Sequence, residues 1–418
     1  MQKLRCLCCT LFLLSSVGAV AQAHSPMTWD QVRQRFEQNN PTLMAGKLNI
    51  DESKAQEITA NLRPNPSASV TADQFNPFGG GPSHSCCGAL LTVAAFSYLH
   101  EREHKRELRF ESAQKGTAIA VSTQADLERS LLFGLRSAFV STLQAKAVLQ
   151  LAKDSLAYYD HVLEISSSRL QAGDIAQIDL ERLELQRVQY ESDLQTAEVN
   201  LRTAKIALLT LLNDRTPVEQ YDVSGLFDFR DQLPARDELR NIATHSRPDL
   251  QAAMQSIDKA HTDQRLAVAN GSTDPTFGID AGRNPPIDQY VGFNISIPLR
   301  IFDRNQGEKL RTKLDISRNE RLRDATEAQV LSDVDSGYAS LASTVLLLRP
   351  YKLKYLQQST HVRDTVFISY RNGGASLLDF LSAESDYRAV QMGYVNLVGS
   401  YLTAAAQLNM AVGQEVIQ

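Results

Sequence analysis

The chain has 418 residues, 43% of them hydrophobic, and its 43 basic and 48 acidic side chains leave a formal net charge of -5. That length has room for two or three ordinary domains, and the apolar content is normal for a folded protein. Acids and bases nearly balance and aromatics are few, so there is no basic field of the kind that binds nucleic acid, and that partner class is set aside.

Lys3 and Arg5 precede an apolar run from Cys6 to Val20, and Ala21-Gln22-Ala23 follows with small residues at cleavage spacing. Residues 1–23 therefore read as a signal peptide, with the mature chain starting at His24. Cys6, Cys8 and Cys9 leave with it. No cysteine follows the run to carry a lipid, so a lipoprotein is not expected. The remaining Cys86 and Cys87 are neighbours, a strained geometry for a disulfide. After residue 23 no apolar run reaches about 18 residues, so an exported chain of this kind is either soluble or crosses a membrane as a β-barrel.

Thr28 is placed to cap a first helix, which breaks at Asn39-Asn40-Pro41 and resumes to about Asn61. Pro64 and Pro66 end it, and strands are predicted next: Ser67 to Asp73, then Ala89 to Leu99 beyond a glycine-rich loop. From Lys105 to Ala172 the pattern is helical, a length of about 100 Å at 1.5 Å per residue. Within it Leu135, Thr142, Leu149, Leu156, Leu163 and Leu170 form a heptad seam with Ala138, Ala145, Ala152, Tyr159 and Ser166. The seam stops at Gly173-Asp174. A second one returns through Leu180, Leu183, Tyr190, Leu194, Ala197, Leu201, Ala204, Leu208 and Leu211, interrupted by Arg187.

After a connector at 216–233 the whole arrangement repeats. Arg247-Pro248-Asp249-Leu250 parallels Asn40-Pro41-Thr42-Leu43, and the alternation of Phe277, Ile279 and Ala281, then Val291, Phe293, Ile295, Ile297 and Leu299, predicts two more strands. Such strands suit a barrel with lipid outside and water inside, and equally a soluble half-buried hairpin. A second long helix runs from Gln306 to Asn372, with Pro350 predicted to kink it. The return seam is Phe380, Ala383, Tyr387, Val390, Tyr394, Leu397, Tyr401, Ala404, Leu408 and Ala411, with Gly373 in the place of Gly173 and Asp379 in that of Asp179. A period of roughly 200 residues is too long for a solenoid, so the chain reads as one unit duplicated: 24–215 and 234–418. At heptad spacing Tyr387, Tyr394 and Tyr401 read as core.

The elements read as α+β, with duplicated antiparallel helical hairpins and four strands per chain, and as membrane α+β where those strands span a bilayer. Four strands cannot close a barrel. The chain resembles the TolC-like outer-membrane efflux family, on the tips Arg169-Leu170-Gln171-Ala172-Gly173 and Tyr370-Arg371-Asn372-Gly373, on Leu378-Asp379-Phe380-Leu381-Ser382-Ala383, on the Asn65-Pro66 and Asp274-Pro275 strand starts, and on the duplication. Ser97-Tyr98-Leu99-His100-Glu101-Arg102 and Lys105-Arg106-Glu107-Leu108-Arg109 are similar to the heavy-metal (CzcC-type) branch. The resemblance implies a homotrimer with a twelve-stranded β-barrel in outer-membrane lipid and an α-helical barrel in the periplasm. It implies a periplasmic adaptor meeting the tips at Ala172, Gly173, Asp174, Asn372, Gly373 and Gly374, and an inner-membrane pump of the RND type. It also implies an acidic ring at a pore constriction at Asp379, with Ser382 standing where a second acid is usual. The alternative for Asp379 is a helix cap.

Other signals carry less. His100-Glu101-Arg102-Glu103-His104 fits a zinc-protease pattern, but it sits at a strand end without a third ligand, so a zinc hydrolase is rejected. His84, Cys86 and Cys87 could bind a soft metal, or form a plain surface loop. No nucleotide-binding pattern occurs, and neither a cofactor nor an enzymatic activity is expected. The function that the resemblance implies is a passive efflux duct, with metal ions as the cargo preferred on the likeness to the heavy-metal branch alone. Its alternatives are export of drugs or other small molecules, type I secretion, or a non-channel periplasmic scaffold.

Overall fold

In the computed structural model of the chain, residues 25–73, 91–284 and 287–417 are described. The predicted signal peptide and the loop bearing His84, Cys86 and Cys87 lie outside the described residues. The first half runs α1 (Trp29–Asn39), α2 (Pro41–Ala60), β1 (Ser67–Asp73), β2 (Leu91–Leu99), α3 (Lys105–Ala172) and α4 (Gln177–Leu211). The second runs α5 (Arg236–Ser246), α6 (Pro248–Ala269), β3 (Thr276–Asn284), β4 (Ile287–Ser296), α7 (Gln306–Pro350), α8 (Leu356–Arg371) and α9 (Leu377–Val412).

The helix boundaries follow from local chemistry. The Thr28 backbone N–H donates to Gln31 Oε1 at 2.9 Å, closing the start of α1. Pro41 can open α2 because its missing N–H has no intrahelical partner there. Asn40 secures the break, accepting from the Leu43 N–H at 3.0 Å while its own amide donates to the Leu211 carbonyl at 2.9 Å. In the second half Arg247 takes this place, and its buried guanidinium bonds Asp249, Asp333 and the Ala411 carbonyl. Pro350 ends regular α-helix as predicted. A π-helical stretch, Tyr351–Tyr355, follows before α8 continues, since the proline ring displaces one turn of the hydrogen-bond ladder.

The strands form one antiparallel sheet in the order β1-β2-β3-β4. Its register aligns Val70 with Ala94, Phe96 with Ile279 and Ile279 with Phe293. One face thus carries Val70, Phe96, Ile279, Phe293 and Ile295, all exposed, with Val70 at 83% and Phe293 at 71%. The other carries Ser67, Ser69, Thr71, Ser97, Gly278, Asp280, Gly292 and Asn294, and there Ser67 Oγ lies 2.8 Å from Ser97 Oγ. Among the described residues no helix is packed across either face, which argues against the half-buried soluble hairpin. β4 stops at Ser296 rather than running to Leu299, because Pro298 has no N–H to donate to a ladder.

Below the sheet the helices bury three apolar cores. One joins α1, α2, α3 and α4 around Phe36, Leu135, Phe139 and Leu208. A second joins α5, α7 and α9 around Val334, Leu341, Tyr401 and Leu408. The third, towards the tips, joins both hairpins around Tyr159, Leu183, Tyr190, Tyr370 and Phe380. Arg187, the polar intruder in the return seam, reaches across to Asp160 on α3 at 2.6 Å.

Sheet and helices meet at Lys105. Its ammonium is 3% exposed and donates to Asp274 at 2.6 Å and to the Ser272 carbonyl at 3.0 Å. Burial raises the Asp274 carboxyl, but the bonds from Lys105 and the Arg102 N–H outweigh it and hold the group below its usual value. Asp274→Asn leaves a buried ammonium without its counter-charge and is expected to cost about 3–5 kcal/mol near neutral pH. Because the folded pKa is depressed, the wild-type advantage is present above the ordinary value of 3.8 and lost as pH falls below it, which thermal unfolding at a series of pH values checks. Gly282 is held by a different constraint: a Cβ there would sit 2.2 Å from the Thr92 carbonyl oxygen. Gly282→Ala is expected to weaken the β2–β3 pairing by about 1–3 kcal/mol, read from the same unfolding.

Candidate functional site

The two hairpin tips are built alike. At each, a glycine with positive φ, Gly173 at 82° and Gly373 at 78°, reverses the chain where a side chain would be strained. The Gly173 N–H donates to the Leu170 carbonyl at 3.0 Å and Asp174 to Arg169 at 2.9 Å, and Gly373 and Gly374 close the second tip in the same way. Ala172, Gly173, Asp174, Asn372, Gly373 and Gly374 are all exposed. Arg169 ties the tips together, donating to the Tyr370 carbonyl at 2.8 Å with its guanidinium 5.1 Å from the Tyr370 ring centre.

Beyond the tips the halves differ. Ser376 is the N-cap of α9, and Asp379 is its partner three residues on rather than the cap itself, which corrects the simple capping reading. The Asp379 N–H donates to Ser376 Oγ at 3.1 Å, while Asp379 Oδ2 accepts from the Ser376 N–H at 3.0 Å and from its hydroxyl at 2.7 Å. Those bonds, the hydroxyl's first, lower the Asp379 pKa from its ordinary value, so the exposed carboxylate is ionised at neutral pH. In the first half the corresponding residue is Ala176, which has no side chain able to cap, and Asp179 lies 3.9 Å from Arg182. Ser382 is also exposed, one turn beyond Asp379 on α9.

The sequence pattern did not point to a polar cluster just behind the tips. Glu384 on α9 is 1% exposed, and neither carboxyl oxygen has a hydrogen-bond partner. Burial pushes its pKa up to about 7 against the opposing pull of Arg363 and Arg388. Arg363 lies 4.0 Å from the Tyr387 ring centre and 4.6 Å from that of Tyr158, and is paired with Asp364 at 2.8 Å. Arg388 lies over Tyr190 at 4.2 Å and pairs with Asp193 on α4. A glutamate directly after seam residue Ala383 was the only available signal, and such flanking positions are usually solvated. Of the three seam tyrosines, only Tyr401 is fully buried. Tyr387 stacks under Arg363, and Tyr394 lies half-buried beside Asp228.

The segment after α4 straps both hairpins. Asp222 pairs with Lys146 on α3 at 2.6 Å and Lys205 on α4 at 3.3 Å, while Asp228 holds Lys352 in the π-helical stretch at 2.7 Å. The zinc-protease pattern does not assemble. His104 precedes α3 with a left-handed backbone, His100 lies at the end of β2, and Glu101 is committed to Arg109 through two bonds. Among the described residues no three His, Cys, Asp or Glu side chains gather where a metal ion could be held. Nor, among them, is any helix long and apolar enough to cross a membrane.

Comparison with known proteins agrees with this geometry. Residues 239–414 match the family described as "Outer membrane efflux protein". Over its length the chain is 22% identical to the cobalt-zinc-cadmium resistance protein CzcC of Cupriavidus metallidurans, covering 94% of this chain and 91% of that protein. It is 23% identical to the pyoverdine export outer membrane protein OpmQ of Pseudomonas aeruginosa, covering 92% and 84%. Among solved structures it shares the fold of CusC, with a TM-score of 0.77 at 17% identity over 94% of this chain and 96% of that one. It also shares that of VceC from Vibrio cholerae, with a TM-score of 0.74 at 16% identity over 92% and 96%.

The cap geometry generates a prediction. Ser376→Ala is expected to release Asp379 and loosen the first turn of α9, seen as faster amide exchange at Asp379 and Phe380. The depressed Asp379 pKa places that difference above the ordinary value of 3.8, and it is lost as pH falls below it. Unchanged exchange at neutral pH would show that the cap is not what holds the turn.

Proposed function

We propose, from the premise that the chain is an outer membrane efflux protein of the TolC-like kind, that it is the passive exit duct of a tripartite efflux system. The observation that carries this reading is the sheet. It has one exposed apolar face and an opposite face mainly of small or polar residues, interrupted by Leu91, Val93 and Leu99 of β2, and its edge strands β1 and β4 have no further partner among the described residues. Twelve strands from three chains make a barrel wide enough for water, with apolar side chains against outer-membrane lipid. The helices below it, α3 at 68 residues the longest, continue the duct into the periplasm.

In this reading the exposed tips at Ala172, Gly173, Asp174, Asn372, Gly373 and Gly374 receive a periplasmic adaptor, and an inner-membrane pump of the RND type supplies the energy. Three Asp379 carboxylates around the axis form the constriction, with Ser382 behind them, and attract cations. The cap bond does not remove that charge; it fixes the direction in which it points. Metal cations are the preferred cargo, supported by the likeness to a cobalt-zinc-cadmium resistance protein. The likeness to a pyoverdine export protein supports a second reading, small organic cargo through the same duct.

Outer-membrane fractions, extracted in mild detergent and sized by light scattering, are expected to yield particles of three chains that conduct ions in planar bilayers. Asp379→Asn is expected to lower cation selectivity while leaving the particle intact. A soluble single chain would overturn the duct. Unchanged selectivity in an intact conducting variant would overturn the acidic constriction alone.

A further inference from the structure

Behind their tips the first hairpin (α3, α4) and the second (α8, α9) share a buried aromatic core, Arg363 on α8 lies over Tyr158 on α3, and Arg388 on α9 pairs with Asp193 on α4. Glu384 stands four residues before Arg388 on the same helix, the spacing at which a glutamate and a following arginine pair along a helix face. Yet the two do not pair. Glu384 is buried with both oxygens unpartnered, while the neighbouring cations are engaged elsewhere, Arg363 with Asp364 and Arg388 with Asp193.

The groups around Glu384 come from every helix packed there. Tyr158 and Tyr159 face it from α3, Tyr190 from α4, Arg363, Asp364 and Tyr370 from α8, and Tyr387 and Arg388 from α9. Burial pushes Tyr158, Tyr159 and Tyr190 further above their ordinary value, so they stay neutral. The charged groups that act on the carboxyl are Arg363, Arg388 and Asp364, with Asp193 beyond Arg388. A neutral carboxylic acid tolerates this site. A carboxylate there lacks both water and a counter-ion, a cost relieved only by capturing an arginine.

We propose that Glu384 is a proton-operated latch between the hairpins: protonated, it leaves Arg388 to hold Asp193 across the gap, and ionised, it takes Arg388 along α9 and lets the hairpins part. Space for the exchange adjoins it. A groove of about 880 Å³ between α3, α4 and α9 is lined by Tyr190, Asp193, Ser385 and Arg388, so the released Asp193 stays solvated and α9 has room to turn. The π-helical stretch after Pro350 supplies a break about which α8 can move without α7.

The sign follows from the direction of the shift. A carboxyl whose packed-state pKa is raised from 4.5 to about 7 favours the packed state below 4.5, and that preference is lost as pH rises through about 7. The full effect is a change of roughly 300-fold in the packed-to-parted ratio across the window.

The latch lies within one chain and does not require that the chain conduct, so its test uses distance. Spin labels at Gln195→Cys on α4 and Ser382→Cys on α9 are read in the mature chain, which lacks Cys6, Cys8 and Cys9, with Cys86→Ser and Cys87→Ser, diluted with unlabelled chains. The wild-type distance is expected to lengthen as pH rises from about 4.5 to about 7, the window between the parted and packed values of Glu384. Glu384→Gln, and Glu384→Leu as an apolar second variant, are expected to hold the short distance throughout. Asp193→Asn is expected to give the long distance even at acidic pH. A wild-type distance that does not move, a Glu384→Gln distance that titrates as wild type, or an Asp193→Asn distance that stays short at acidic pH overturns the latch. Conductance plays no part in these outcomes, so failure of the duct reading is seen separately.

Discussion

A four-stranded sheet with two open edges is the constraint on which the rest of this molecule depends. In hydrocarbon each unpaired backbone N–H or C=O costs several kcal/mol, so an open sheet is not a stable spanning unit. Here the register places Val70, Phe96, Ile279 and Phe293 on one surface with no helix across it. The fold thus exposes the apolar face that a soluble protein buries, and among the described residues no further strand joins β1 or β4. The proposed barrel, closed by copies of the chain, would answer both demands at once. The Lys105–Asp274 ion pair ties the start of α3 to the segment that leads into β3.

The chain has two hairpins with tips of one design, and they differ at matched positions. Ala176 and Ser376 occupy matched positions, but only the serine engages the following aspartate, so only Asp379 has its carboxylate oriented by its helix start. Pro350 stands where the first half has Gln150, and it divides the second descending helix into α7 and α8 while α3 runs unbroken. The segment between the halves completes the asymmetry. Its Asp222 holds the first hairpin at regular helix, whereas its Asp228 holds the second at the π-helical break.

Packing near the tips combines apolar side chains with a charge arrangement that is stable in one protonation state. Tyr159 stacks on Tyr190 with centroids 4.4 Å apart and Tyr370 on Phe380 at 5.3 Å, making a rigid aromatic layer through both hairpins. Arg363 and Arg388 rest on the faces of tyrosines there and pair outward, to Asp364 and Asp193. Glu384, enclosed by the same layer, is the member left without a counter-charge. The proposed latch and the proposed constriction at Asp379 lie on one helix, five residues apart.

Periodicity was enough to read α3 from Lys105 to Ala172, β1 from Ser67 to Asp73, the break at Asn40-Pro41 and the kink at Pro350, because backbone hydrogen bonding and side-chain spacing act over a few residues. The likeness of the two tips was legible for the same reason: a glycine with positive φ is a local requirement. The tertiary structure alone decided which faces remain uncovered, that Arg187 reaches Asp160, that Ser376 rather than Asp379 caps α9, and that Tyr387 meets Arg363 instead of joining the core. It also decided the burial of Glu384, which stands at a seam-flanking position that is solvated on an isolated hairpin. There the environment is set by Tyr158 and Arg363, residues distant in sequence, and the energy of a charge depends on what surrounds it rather than on its place in a heptad.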